Sequence, residues 1–176
     1  IESQRDYELA EVVKRFAVLG KHKKPIHLAG RVRAIRGQGA ISFVDLDDGT
    51  GKFQALFKSD DLAEARFKLF TETVDIGDFI EVAGTLFVTK RKEKTILVTD
   101  WRMLAKSLRP LPDKWHGLQD VEERFRRRYL DSLMSPEVKE RFVLRSKLIS
   151  ALREFLDKAG FLEVETPMLQ PIAGGA

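Results

Sequence analysis

Between Pro25 and Ala105 five separate runs carry apolar residues at every second position, and this repeated period constrains the chain more than any other feature. Ahead of it, YELAEVVKRFAVLG places Leu9, Val12, Val13, Phe16 and Leu19 at helical spacing, with Gly20 where a C-terminal cap would stand. After Pro25, Ile26, Leu28, Val32 and Ala34 share one face of a strand, while His27, Arg31 and Arg33 share the other. Gly30 falls inside this run, as expected where a strand bends sharply. AISFVDLDD, a GTG loop and KFQALFK read as a hairpin. DDLAEARFKLFTETV reads as a helix capped by Asp60 or Asp61, and DFIEVAGTLFVTK and KTILVTDWRML as two more strands joined by the charged turn around RKE.

Five strands with a helix between the third and fourth is the element order of an OB-fold, a small Greek-key barrel whose exposed face often binds oligonucleotides. Other small barrels share this order in part. The predicted class is α+β, mainly β in its first part. After the barrel, Pro110 and Pro112 in KSLRPLPDKWHG prevent helix and remove backbone donors, which predicts an extended linker. A long helix then opens with Ser135 as cap and Pro136 in its first turn, and closes at Gly160. Phe142, Ile149, Leu152 and Leu156 run along one face of it, with Val138, Leu148 and Phe155 beside them. A face this wide suits another domain or subunit as well as a local core. The expected division is an N-terminal helix at 1–24, the barrel at 25–106, a linker at 107–117 and a second region at 118–176.

With 43% hydrophobic and 33% charged residues, a chain of 176 residues can bury a real core and is not a disordered polymer. It has no apolar run of about 18 residues or more, and its first residues lack the order of a secretion signal, so we expect a soluble protein with no export route and no membrane partner. The absence of cysteine excludes disulfides and thiolate metal sites and fits the cytoplasm. His22, His27 and His116 show no ligand spacing, and DLDD at 45–48 reads better as a hairpin turn than as half a calcium loop, so no metal site is expected. Neither a phosphate-cradling glycine loop nor a nucleophile with a base partner is present, so no catalytic residue is expected here. Basic runs KHKK, RVRAIR, KRKEK and RFRRR are either solvated faces or the footprint of a polyanion.

Strand parity sorts the barrel's side chains. If Leu28 and Val32 point inward, Arg31 and Arg33 point out; likewise Val44 and Leu46 inward put Phe43 outward, and Phe53, Ala55 and Phe57 inward put Gln54 outward. A ring offers a base a stacking surface worth roughly 1–3 kcal/mol, an amide can donate and accept at a Watson-Crick edge, and a guanidinium can stack or grip phosphate. Alternatively, a bulge shifts the register and Phe43 belongs to the core, while Gln54 by itself could be an ordinary solvated amide.

The stretch RPLPDKWHGLQDVEERFRRRYLDSL, followed by the long helix and GFLEVETPMLQPIAGGA, resembles the bacterial class II lysyl-tRNA synthetases, and the resemblance extends from about Ile26 to Ala176. RYLD is shared with the aspartyl and asparaginyl enzymes, whereas PLPDKWHGLQD and PMLQPIAGGA resemble the lysyl branch. The resemblance implies an anticodon-binding barrel followed by the start of a class II catalytic domain, with the long helix and a strand as its motif 1. It implies that Phe43 stacks on an anticodon base, that Gln54 reads a uracil edge, that Glu93 also reads, and that Arg31 and Arg36 flank them.

The resemblance also implies a homodimer interface at motif 1, with Gly160, Phe161, Val164, Thr166 and Pro167, and a lysine contact at Gly174. Ala173 stands where lysyl enzymes commonly carry proline, so this loop lacks a fixed backbone torsion. The implied activity is lysine–tRNA ligation: lysine attacks the α-phosphorus of ATP, with Mg2+ neutralising the phosphates, and the lysyl group passes to tRNA-Lys. The residues that hold ATP in this family belong to later motifs, so these 176 residues alone are expected to bind tRNA and not to activate lysine. An aspartyl-type synthetase, a non-catalytic OB-type module for single-stranded nucleic acid and a structural dimerisation protein are the alternatives.

Overall fold

A computed structural model describes residues 2–21, 24–112 and 118–168. The chain divides into two compact units, Ile1–Leu111 and Pro112–Ala176. In the first, helix α1 (Leu9–Lys21) precedes strands β1 (Ile26–Gln38), β2 (Ile41–Asp47) and β3 (Lys52–Lys58), helix α2 (Glu64–Thr73), and strands β4 (Phe79–Val88) and β5 (Lys94–Ala105). The strands close into a barrel in the order β1-β2-β3-β5-β4, with β3 and β5 parallel and every other pair antiparallel. Closure leaves no unpaired edge.

β1 makes this possible by serving two neighbours. Residues 26–31 pair with β4 and residues 31–38 with β2, so the strand must turn a corner near Gly30. A Cβ on Gly30 would lie 3.1 Å from the backbone nitrogen of Asp47, a contact closer than ordinary packing allows. Just beyond, the register shifts between Val32 and Ala34. This bulge corrects the parity expected for β1: Ala34 pairs with Asp45 on the outer surface, and Ile35 turns toward the core in its place.

The core is built from the inward residues of all five strands, among them Leu28, Val32, Val44, Leu46, Phe53, Phe57, Ile80, Val82, Ile96 and Val98. Each fully buried side chain of this size contributes about 1.5–3 kcal/mol of transfer free energy. Helix α2 adds Phe70, which stacks on Phe57 at 3.9 Å between centroids and meets the edge of Trp101 at 5.6 Å. Helix α1 adds Leu9, Val12 and Phe16, the last tilted against Phe53 at 6.2 Å.

Three buried carboxylates tie the connections to the barrel. Asp48, in the β2–β3 turn, accepts from the backbone N–H of Leu9 at 2.9 Å and so caps α1, while its other oxygen organises its own turn through Thr50 and Gly51. Burial pushes the Asp48 pKa up, but these hydrogen bonds outweigh it and hold the group below the ordinary range. Asp78 accepts from Lys106 Nζ at 2.7 Å and from the backbone of Asp75 and Ser107; burial again opposes and the bonds again win. Glu81 holds the segment before α1 through Ser3 Oγ and the N–H of Gln4, each at 2.7 Å, and pairs with Arg102; its pKa too lies below the ordinary value against the pull of burial.

Two helix ends differ from expectation. α1 runs through Gly20 to Lys21, so Gly20 is no cap. α2 starts at Glu64 after Ala63, which makes no side-chain cap; neither Asp60 nor Asp61 serves, because Leu62 between them and the helix is drawn into the core.

In the second unit, α3 (Val121–Arg126) is capped by Asp120, whose carboxylate accepts from Glu123 N at 2.7 Å. It leads into α4 (Arg128–Met134) and the 23-residue α5 (Pro136–Lys158). Buried Asp131 of RYLD accepts from Arg124 Nε at 3.0 Å and from Arg128 Nη1 at 2.8 Å, which pins α3 to α4. Ser135 holds the cap position of α5 without a side-chain hydrogen bond. At the other end Gly160 adopts φ +84°, and Gly160 and Phe161 return their N–H groups to Asp157 and Leu156, the paired bonds of a Schellman ending. The strand expected after the helix is not formed within 161–168, because a strand needs a hydrogen-bonded neighbour and this segment has none among the described residues. No described helix is long and apolar enough to cross a membrane.

Candidate nucleic-acid interface

Pairing across the barrel aligns outward side chains into rows. One runs Arg36, Phe43, Leu56, Leu97; the next runs Ala34, Asp45, Gln54, Thr95, Phe87. The register therefore turns Phe43 and Gln54 outward and brings Arg36 to Phe43's side, the last because the bulge reverses parity beyond Arg33. Leu56 and Thr95 are buried, whereas Phe43 and Gln54 are half-buried, with their outer parts in reach of a ligand.

Thr95 joins the rows to the β4–β5 turn. Its hydroxyl donates to Gln54 Oε1 at 2.8 Å and lies 3.3 Å from the carbonyl oxygen of Glu93. With its oxygen engaged, Gln54 presents its NH2 to an acceptor such as a uracil carbonyl. Glu93 is exposed beside it, in a turn closed by Thr89 N–H to Glu93 O at 2.9 Å and made tight by Lys92 at φ +64°. Lys90, Arg91 and Lys92 in that turn are exposed, so the rim next to the reading set is cationic.

The two arginines have different surroundings. Arg36 is gripped by Asp45 through Nη1 at 2.9 Å and Nη2 at 2.8 Å. Arg31 lies in a separate row, opposite Asp47 and Phe79, with its guanidinium 4.2 Å over the Phe79 ring and donating to Gly77 O at 2.9 Å. Burial lowers its pKa, Arg33's charge adds to the drop, and Asp47 opposes it. Arg31 thus braces the barrel corner and is not brought together with Phe43.

In the second unit, Phe142, Leu148, Leu152 and Phe155 of α5 are exposed, as are Phe161 and Val164 beyond it. Gly160 ends the helix, and Thr166 and Pro167 are exposed. An ion pair of Arg153 Nε with Glu163 Oε1 at 3.0 Å holds this segment to the helix. Gly174 lies outside the described residues.

Known proteins match along both units. The family of OB-fold nucleic acid binding domains matches residues 26–104, and that of class II tRNA synthetases (D, K and N) matches residues 120–176. A lysine–tRNA ligase of Carboxydothermus hydrogenoformans is 49% identical over 173 residues, covering 98% of this chain and 35% of that protein. The chain belongs to the class II lysyl-tRNA synthetase family. Other relatives of the same name are those of Dehalococcoides mccartyi strain BAV1, 51% identical over 88% of this chain and 31% of its own length, and of Aquifex aeolicus, 49% identical over 87% and 26%. The chain thus spans about a third of the length of the curated relatives that it matches.

Membership in this family implies ATP and Mg2+ for the whole protein. Among the described residues no His, Asp and Glu side chains gather in a group that could hold a metal ion. Sequence reasoning passed over Phe87, Leu97 and Thr95 on this synthetase barrel. Their signal was available in the parity of β4 and β5, since Ile80, Val82, Leu86, Ile96 and Val98 lie in or against the core and the residues between them face out.

Proposed function

We propose that this chain carries the anticodon-reading part of a cytoplasmic lysine–tRNA ligase, an ATP-dependent enzyme that joins lysine to tRNA-Lys, together with the first elements of its catalytic domain. The observation that carries this reading is the Gln54–Thr95 pair beside Phe43 on one outer face of the barrel, with Thr95 also reaching the backbone carbonyl of Glu93 in the adjoining turn. A base stacked on Phe43 would sit next to an amide whose NH2 makes no hydrogen bond among the described residues, and the exposed Glu93 of the adjoining turn would supply a carboxylate that accepts an N–H, a set suited to the edge of uracil. Arg36 borders the stacked base, and Arg31 flanks the site from the barrel corner. The lysines and arginine at 90–92 supply sequence-independent attraction for the phosphates. Gly174 is proposed to meet lysine in the whole protein.

The exposed face of α5, with Gly160, Phe161, Val164, Thr166 and Pro167, is proposed to pair with a second copy of the chain. Among the described residues the segment 161–168 has no strand partner and the apolar face beside it is exposed, and an interface between copies would supply both.

The test is equilibrium binding of the chain to an RNA stem-loop bearing a UUU anticodon and to loops of other sequence on the same stem. Preference for UUU is expected, with affinity falling as salt rises. Equal affinity for every loop would reduce the barrel to a non-specific single-strand binder, and no affinity would remove RNA from the reading altogether.

A further inference from the structure

An acidic residue in the middle of a surface that meets a polyanion needs a reason, and Asp45 is such a residue. It stands opposite Gln54 in one row, and its carboxylate reaches across to Arg36, which stands opposite Phe43 in the next. The two oxygens take Nη1 and Nη2 at 2.9 and 2.8 Å, a fork-on-fork pair that fixes the plane of the guanidinium. This geometry depends on the bulge between Val32 and Ala34: without that extra residue Arg36 would face the core, out of Asp45's reach.

We infer that Asp45 is a positioning residue that makes Arg36 a reader of bases: it orients the guanidinium beside Phe43 and cancels the charge that would otherwise draw it to a phosphate. This inference rests on the proposed base-reading role of the face. A guanidinium has five donors and Asp45 occupies two of its nitrogens, so a flat surface and further N–H groups stay available for a base. The exposed cations at Lys90, Arg91 and Lys92 make no ion pair among the described residues, so they keep their charge for the backbone. The Arg36 and Asp45 side chains are 54% and 27% exposed, so solvent screens the pair and its contribution to folding is modest.

The experiment compares the 176-residue chain with its Asp45→Asn variant, measuring binding to UUU and AAA stem-loops of identical stem between 50 and 200 mM KCl, with thermal unfolding of both proteins as a check. Asn cannot neutralise Arg36. The variant should bind the AAA loop more tightly than wild type and lose several-fold of its preference for UUU. Its log affinity should fall more steeply with log salt, by about 0.7 to 0.9, the slope of one further phosphate contact. In an Arg36→Gln background the same change should alter neither quantity. Should Asp45→Asn fail to fold, Asp45→Ser is read in its place. Unchanged preference and slope, or an equal effect without Arg36, would overturn the inference while leaving base reading intact. A wild-type chain with no preference among loops would instead overturn the base-reading proposal, and this inference with it.

Discussion

The barrel and helix α5 use the same apolar side chains and end in opposite states. In the barrel, the inward face of each strand meets that of another, and Leu28, Val44, Phe57, Ile80 and Ile96 are sealed from solvent. In α5 the stripe is as regular, yet Leu148 is 69% exposed and Phe155 68%, and of the helix's apolar residues only Val138 is buried among the described residues. The contrast teaches that periodicity specifies an element and the side it must cover, but not what covers it. The barrel supplies its own cover through strand closure and two helices, whereas α5 presents its stripe outward.

The largest effect that would test this contrast is in the barrel core. Phe57→Ala removes a ring stacked on Phe70 and should cost about 3–5 kcal/mol of barrel stability, measured by urea unfolding. Phe155→Ala, an equal truncation on α5, should leave that transition in place; a matching loss would mean that α5 belongs to the barrel's cooperative unit.

Next comes the proposed cover for α5. Leu152→Glu places a charge in the middle of the exposed stripe and should shift a dimer toward monomer by about 2 kcal/mol or more, read by sedimentation. A chain that sediments as a monomer from the start would break the dimer proposal.

On the barrel's outer face, Phe43→Ala should weaken UUU stem-loop binding by about 1–3 kcal/mol, the stacking contribution of one base. Unchanged affinity would remove Phe43 from the interface.

The smallest effects concern the carboxylates that seal the barrel. Asp48→Ala removes the cap of α1 and should cost about 1 kcal/mol of thermal stability. Asp48, Asp78 and Glu81 all have pKa values below their ordinary ones. Their contribution is therefore complete above the unfolded values of about 4 and is lost as pH falls through the lower folded values. The barrel's melting temperature should fall on acidification below about pH 4, and a flat profile would show that these bonds do not stabilise it.

Legibility followed distance along the chain. β2 and β3 run without a bulge, so simple alternation placed Phe43 and Gln54 outward. The same reasoning failed in β1 beyond Arg33, because the bulge arises from the corner that β1 must turn between two partners, and no local pattern in RVRAIR records it. The cap of α1 was equally hidden: it comes from Asp48, 39 residues away from Leu9. By contrast the end of α5 was readable, since Gly160 is a local requirement of the turn. Glu93 entered through a family resemblance alone, and only its backbone carbonyl is tied to Gln54's neighbour Thr95, a link that no composition rule indicates.

By itself the sequence determined the barrel's elements, their order and the inward side of most of them, and the span of α5, because hydrophobic alternation and turn residues act over a few neighbouring positions. Tertiary structure alone decided which outward side chains meet: Arg36 with Phe43 and Asp45, and Gln54 with Thr95. Those meetings depend on register, and register is set by barrel closure, which couples strands far apart in the chain.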